Sequence, residues 1–94
     1  SRVSVREQAV IVAERVRRAG TTTFRALCAD AADTQTTVAR FLSLLELFRE
    51  GVVAFEQAQS FAELGVRWTG DDDEDVTAAI EVDEFEGAPD DPAP

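Results

Sequence analysis

The first twenty residues carry the apolar pattern of an amphipathic helix. Five apolar residues recur at steps of four and three, which places them on one face of an α-helix: Val5, Ala9, Val12, Val16 and Ala19. Ser4 and Glu7 have the spacing of a capping box at its start. Gly20 suits the position after its last turn, where a positive φ is common. The pattern therefore predicts a helix over residues 5–19.

The next segment predicts a short extended stretch and two further helices. Thr21–Thr23 consists of β-branched residues, which favour an extended conformation and would form a strand of two or three residues. The apolar spacing that follows predicts a short helix over residues 24–31, with these residues on one face: Phe24, Leu27, Cys28 and Ala31. Asp33 or Thr34 is suited to cap a third helix, which runs without Pro or Gly from Gln35 to Glu50 and ends at Gly51.

After Gly51 the apolar period changes from helical to alternating. Residues 52–57 predict a strand with Val53 and Phe55 on one side, and residues 64–69 predict a second strand with Val66 and Trp68 on one face. We expect Phe55 and Trp68 to cover the sheet as core residues, with a role at an interface as the alternative. The order helix, short strand, helix, helix, hairpin predicts an α+β fold. This is the element order of a small winged-helix domain, with three helices plus a β-hairpin wing, which we predict for residues 1–70.

Charge separates this domain from the rest of the chain. Residues 1–70 hold all nine basic residues, all of them Arg, and eight acids, a balance of 9 − 8 = +1. Residues 71–94 hold the other eleven acids and no base, a balance of −11. Such a composition predicts an acidic, mobile C-terminal tail. Within it, the helical spacing of Val76, Ala79 and Ile80, with Val82 and Phe85 beyond, would allow one or two turns to dock.

The composition argues against an enzyme, a metal site and a membrane span. With no His and a single Cys, Cys28, the chain has no Cys/His metal cluster, no internal disulfide and no ordinary general base. Asp71–Asp75 lacks the Gly and terminal Glu of a calcium loop. We therefore expect no catalytic residue, metal or cofactor. No apolar run reaches the ~20 residues of a membrane helix, and no signal peptide opens the chain, so we expect a bacterial cytoplasmic protein. The absence of Met suggests a piece of a longer protein.

The third helix carries more apolar surface than one buried face needs. Its large apolar residues cover about 220° of the helix, wider than the usual stripe of about 100°: Val38, Phe41, Leu42, Leu44, Leu45, Leu47 and Phe48. Packing against two neighbouring elements would explain part of this surface. A partner-binding patch would explain the remainder, and the pattern alone does not separate the two groups.

A winged helix also raises the alternative of a DNA-binding transcriptional regulator. A recognition helix needs a polar outer face and a basic rim. The third helix offers only Arg40 and Arg49, against Glu46 and Glu50. A domain near +1 beside a tail near −11 is poorly suited to phosphate binding, which makes this the second hypothesis.

Four stretches together resemble a known family. They open the first helix, cross the third helix, begin the hairpin and form its wing: Ser4–Gln8, Phe41–Leu47, Gly51–Val53 and Gln57–Leu64. In order and spacing, residues 3–69 resemble the C-terminal domain of bacterial kleisins, segregation and condensation protein A (ScpA). One departure is Ala62, where many relatives have Gly.

The resemblance implies a winged helix that binds the ATPase head of an SMC protein and closes the condensin ring for chromosome condensation and segregation. By position, the partner-binding residues would be Phe41, Leu44, Leu45, Phe48, Val52 and Val53. The accessory protein ScpB would bind other parts of the full-length kleisin, and DNA would be held only indirectly, which implies a nucleoid-associated protein of the cytoplasm. An exposed patch on the isolated fragment also predicts a homodimer.

Overall fold

Three helices and a three-stranded sheet form the domain in a computed structural model that describes residues 3–56 and 63–71. In chain order the elements are α1 Val5–Ala19, β1 Thr21–Thr23, α2 Phe24–Leu27, α3 Thr34–Arg49, β2 Val53–Glu56 and β3 Gly65–Trp68. This small α+β arrangement is compatible with the predicted winged helix. The predicted wing residues Gln57–Ala62 and most of the acidic tail lie outside the described residues.

Helix α1 forms as its sequence predicts. The Ser4 hydroxyl accepts a hydrogen bond from the Glu7 N–H at 3.1 Å, which satisfies one of the free donors of the first turn. Gly20 ends the helix at φ 79°, a conformation that costs a residue with a Cβ more than it costs glycine. Val5, Ala9, Val12 and Val16 are buried, whereas Ala19 is exposed. The predicted stripe is therefore wrong at Ala19, because no described neighbour covers the last turn on that side.

Helix α2 is shorter than predicted. It spans only Phe24–Leu27, and its Thr23 cap accepts from the Ala26 N–H. Beyond it the chain continues in tight turns, in which the Ala29 N–H donates to the Ala26 carbonyl. The predicted helix over residues 24–31 is therefore too long: beyond Cys28 the backbone bonds run to the third residue back, as in a turn, and the Asp30 carboxylate is held by Arg15 and Arg40. Of the two candidate caps of α3, Asp33 takes the role, with its carboxylate 2.8 Å from the Thr36 nitrogen.

The sheet places the last described strand in the centre. Its order is β1-β3-β2 with both pairs antiparallel, so that Val66 lies opposite Thr22 on one side and Phe55 on the other. The Thr residues after α1 thus form a true strand. Two bonds extend the pairing: the Trp68 N–H donates to the Gly20 carbonyl and the Thr69 N–H to the Val52 carbonyl, both at 2.8 Å. Residues just beyond β3 therefore lie beside the ends of both α1 and α3.

The core lies between α1, α3 and the sheet. Its most completely buried large side chains come from all three: Val12, Val16, Leu44, Leu47, Val52 and Val66. Phe24 of α2 meets Phe41 of α3 edge to face, with ring centroids 5.8 Å apart. Phe55 and Trp68 are partly buried and pack against this core, as predicted for residues that cover the sheet. None of the described helices is long and apolar enough to cross a membrane.

Candidate partner-binding surface

One side of α3 remains apolar and exposed after the core is complete. Val38, Leu45 and Phe48 are 49%, 40% and 52% exposed, and Leu42 is half-buried among them. Their spacing of three, four and seven residues places them on one side of the helix. We call Val38, Leu42, Leu45 and Phe48 the α3 patch. Among the described residues, Val10 of α1 is the other large apolar residue that is exposed, at 37%. Because the α3 patch brings several such side chains together on one side, it is the surface that most needs a partner.

The six predicted partner-binding residues divide into two groups. Leu45 and Phe48 are exposed, and Phe41 is half-buried at the border of the α3 patch. Leu44, Val52 and Val53 are at most 3% exposed and belong to the core. Leu44 differs from Leu45 because consecutive helical residues point about 100° apart, which turns Leu44 into the core. These three buried side chains leave no surface for direct contact, so the predicted surface narrows to Phe41, Leu45 and Phe48.

An aromatic stack joins the α3 patch to the sheet. The rings of Phe48 and Phe55 lie nearly parallel, 13° apart, with centroids separated by 5.0 Å. Phe55 is half-buried on β2, so the stack continues the apolar surface from the helix onto an edge strand of the described sheet. Each ring limits the rotamers of the other, which reduces the entropy that a partner must remove on binding.

Sequence reasoning counted Val38 and Leu42 as surplus apolar residues but left them out of the predicted site. The structure shows that both lie on the same side as Leu45. The signal was present in the seven-residue step from Val38 to Leu45. The site that the resemblance implied begins at Phe41 in the middle of α3, whereas the exposed side of α3 begins at Val38, one turn after the start of the helix.

The charges around the α3 patch are mixed. Arg49 lies 3.2 Å from a carboxylate oxygen of Glu46, and the exposed Glu50 follows it. The other Glu46 oxygen, Oε2, is buried without a hydrogen-bond partner among the described residues. On the sheet, Arg67 pairs with Glu56 at 2.7 Å. A surface with this balance lacks the unopposed cations that a phosphate backbone requires.

The second base of α3, Arg40, is buried and holds three segments together. It is 5% exposed, and its Nη1 donates to the Leu27 carbonyl at 2.8 Å and to Asp30 Oδ1 at 2.6 Å. Its Nε donates to Gln8 Oε1 at 2.8 Å. From the sequence alone, Arg40 was one of the two bases of α3 that DNA could contact. In the structure it instead connects α3 to α1, to the end of α2 and to the turn that follows α2.

Asp30 receives a second cation from α1. Both terminal nitrogens of Arg15 donate to its two carboxylate oxygens, at 2.8 and 2.9 Å. These hydrogen bonds from Arg15, and then those from Arg40, hold the pKa of Asp30 far below its usual range. The bidentate geometry fixes the orientation of both groups and so connects α1 to the turn that follows α2.

Among the described residues there is no group of three or more His, Cys, Asp or Glu side chains placed to hold a metal ion. Cys28 is half-buried, and burial raises the pKa of its thiol. A raised pKa lowers the thiolate fraction at neutral pH, which is the opposite of what a nucleophilic cysteine needs. The sequence interpretation of Cys28 as a small apolar residue agrees with this placement.

Comparison with known proteins assigns the matched region to a family. The family model described as segregation and condensation protein ScpA matches residues 2–69. The match contains every described helix and strand and the whole α3 patch. The comparisons with curated proteins and with solved structures found no match. The residues after Thr69, with most of the acidic charge, lie outside the matched region.

Proposed function

Because the chain belongs to the segregation and condensation protein ScpA family, we propose that its folded part is the winged-helix C-terminal domain that binds the ATPase head of an SMC protein. The family belongs to the chromosome segregation and condensation complex of SMC and ScpB. In this proposal the contact with the SMC head closes the condensin ring. ScpB binds other segments of the full-length kleisin, and DNA is enclosed rather than contacted by this domain.

One observation carries the proposal: the α3 patch is apolar, continuous and left exposed by the part of the domain that the structure describes. Burying a whole Leu or Phe side chain contributes about 1.5–3 kcal/mol. Leu45 and Phe48 still have about half of their surface to lose (40% and 52% exposed). Each would therefore contribute roughly 1 kcal/mol by area. Such residues would form the apolar centre of an interface, and the polar residues around the patch would form its rim.

The proposed role is assembly in the cytoplasm on the nucleoid, with ATP turnover performed by the SMC partner. The residues that support this role form the exposed apolar surface of the α3 patch. The buried polar groups of the domain instead connect its own elements. Arg40 donates its hydrogen bonds to Gln8, Leu27 and Asp30 within the domain. Its burial weakens the alternative of a DNA-binding regulator, because it removes one of the two bases of α3.

The test is the affinity of the 94-residue chain for a purified cognate SMC head, measured by titration calorimetry. Leu45→Arg places a charge in the α3 patch, and we expect affinity to fall at least tenfold. Val10→Arg is the matched control, because Val10 is similarly exposed (37%) but lies on α1. Circular dichroism checks that both variants fold. Unchanged affinity in folded Leu45→Arg, or an equal loss in both variants, would contradict the proposal.

The alternative and the predicted dimer have tests of their own. Binding to random duplex DNA at low salt, with a steep loss as salt rises, would favour the DNA-binding regulator. If the isolated fragment covers its α3 patch with a second copy, sedimentation of the wild type shows a concentration-dependent dimer, and Leu45→Arg restores the monomer. A monomer at all concentrations would contradict the homodimer prediction.

A further inference from the structure

The outer face of α1 carries a second open surface, near the end of the helix. An open groove of about 450 Å³ lies there, and its lining among the described residues is entirely from α1: Ile11, Glu14, Arg15, Arg18 and Ala19. Ile11 and Ala19 form an apolar floor two turns long. This surface belongs neither to the core nor to the α3 patch, since α1 packs on α3 through its buried residues Val5, Ala9, Val12 and Val16.

This groove is flanked by positive charge. Three arginines lie within four residues at the end of α1: Arg15, Arg17 and Arg18. Their described carboxylate partners are Glu14, which pairs with Arg17 and Arg18, and Asp30, which pairs with Arg15. Counted along the helix, residues 14–18 carry three arginines and one glutamate, a local balance of 3 − 1 = +2. Asp30 also pairs with Arg40, so it does not belong to this surface alone. The Arg18 side chain lines the groove and is 77% exposed.

The acidic part of the chain begins next to this surface. The Trp68 N–H donates to the Gly20 carbonyl at 2.8 Å, and the Trp68 indole donates to the Asp71 carbonyl at 3.4 Å. The acidic segment therefore begins three residues after Trp68, whose backbone is paired with the residue that follows the last turn of α1. The distance along α1 from Ala19 back to Ile11 is about 12 Å at 1.5 Å per residue. A helical segment from residue 72 to residue 80 covers the same length.

We propose that the acidic segment after Asp71 folds back along the outer face of α1. Val76, Ala79 and Ile80 occupy the groove between Ile11 and Ala19, and the acids beside them face Arg15 and Arg18. The helical spacing of those three apolar residues matches a groove with an apolar floor and a cationic rim. The apolar contacts supply the attraction at high salt, and the charges add to it at low salt.

Two surfaces lie near the start of the acidic segment: the outer face of α1 and the C-terminal end of the α3 patch. Their charges differ, and the difference favours docking on α1. The Thr69 N–H bonds the Val52 carbonyl, and its hydroxyl bonds the Gly51 carbonyl, so the chain also leaves close to the end of α3. There Arg49 stands against Glu46 and Glu50, a local balance of 1 − 2 = −1. A segment that carries eleven acids over residues 71–94 is repelled by that end and attracted by α1. The α3 patch thus stays open to a partner.

The experiment uses the ¹⁵N-labelled 94-residue chain and compares backbone amide shifts of the wild type with those of Ile80→Asp. We expect shift changes at residues 11–19 and none along residues 38–49. A second comparison uses Arg18→Glu and the control Arg49→Glu, whose side chains are similarly exposed (77% and 74%). Arg18→Glu should lower the ratio of docked to free segment by about two- to fivefold, the range that an exposed ion pair supports.

The heteronuclear NOE of residues 76–80 reports that ratio, and Arg49→Glu should leave it unchanged. Shift changes on α3 in place of α1, equal effects of the two arginine variants, or no change with Ile80→Asp would each overturn the proposal. Wild-type shifts at residues 11–19 must also be independent of protein concentration; a dependence would mean that the segment docks on a second copy, against the proposal. These results do not depend on SMC binding, so they test this inference separately from the proposed function.

Discussion

Phe48 stacks on Phe55 with ring centroids 5.0 Å apart, and this contact joins the last turn of α3 to the edge strand β2. The stack serves two purposes at once. It covers part of two large apolar side chains, and it holds Phe48 in the orientation in which half of its surface faces outward. The proposed interface is therefore partly preformed by the fold.

The stack can be measured by a double-mutant cycle. Phe48→Ala and Phe55→Ala are made singly and together, and urea unfolding gives the free energy of each. We expect a coupling of about 0.5–1.5 kcal/mol beyond the loss of buried area, as for other aromatic pairs. Additive effects of the two substitutions would show that the rings do not stabilise each other in solution.

Adjacent leucines of α3 should respond in opposite ways to truncation. Leu44 is fully buried, so Leu44→Ala should lower the free energy of unfolding by about 2–5 kcal/mol through lost contacts and a cavity. Leu45→Ala should cost about 1 kcal/mol or less, since much of that side chain is already in water. Affinity for the SMC head should fall in Leu45→Ala. If Leu45→Ala destabilises the domain as much as Leu44→Ala does, the assignment of the exposed side is wrong.

Arg40 should contribute more to the free energy of unfolding than an exposed arginine does. Arg40→Met keeps the aliphatic stem but removes the donors to Gln8, Leu27 and Asp30. Loss of buried hydrogen bonds to a charged group predicts a fall of about 2–3 kcal/mol in the free energy of unfolding. Arg49→Met is the control, because Arg49 is exposed and should change little. Similar unfolding midpoints for both variants would contradict a structural role for Arg40.

Acid should destabilise the domain partly through Asp30. Its pKa is lowered in the folded state, chiefly by hydrogen bonds from Arg15 and then from Arg40. A lowered folded pKa means that the unfolded chain binds the proton more readily, so the stabilisation is present above the ordinary pKa of about 4 and is lost as pH falls below it. Asp30→Asn should therefore be less stable than the wild type at pH 7, and the gap should narrow below pH 4. A constant gap from pH 7 to pH 2.5 would refute this linkage.

Cys28 should react slowly with thiol reagents. Burial raises the pKa of its thiol, which lowers the fraction of reactive thiolate near neutral pH. Alkylation by iodoacetamide at pH 8 should be several-fold slower than that of a cysteine in a short peptide, and 6 M guanidinium should remove the difference. Reaction of the native chain at the peptide rate would indicate an accessible, reactive thiol.

The sequence determined the elements because their signals are local. The capping pair Ser4 and Glu7, the stops at Gly20 and Gly51, and the alternation at Val66 and Trp68 each depend on residues within a few positions, and the structure confirms them. The family could also be predicted from the sequence, because its motifs follow one another along the chain in a fixed order and at a fixed spacing. Where local signals were weak, as in the alanine-rich turn after Leu27, the predicted helix was too long.

The tertiary structure alone decided which residues face outward. Apolar character is the same for Leu44 and Leu45, and only the packing of α1 and the sheet around the core side of α3 makes the first a core residue and the second a surface residue. Similarly, nothing local distinguishes Arg40 from Arg49; the first is buried because Gln8, Leu27 and Asp30 converge on it from distant parts of the chain. Burial depends on contacts between residues far apart in sequence, and a periodic pattern records only that a side chain is apolar, not which neighbour covers it.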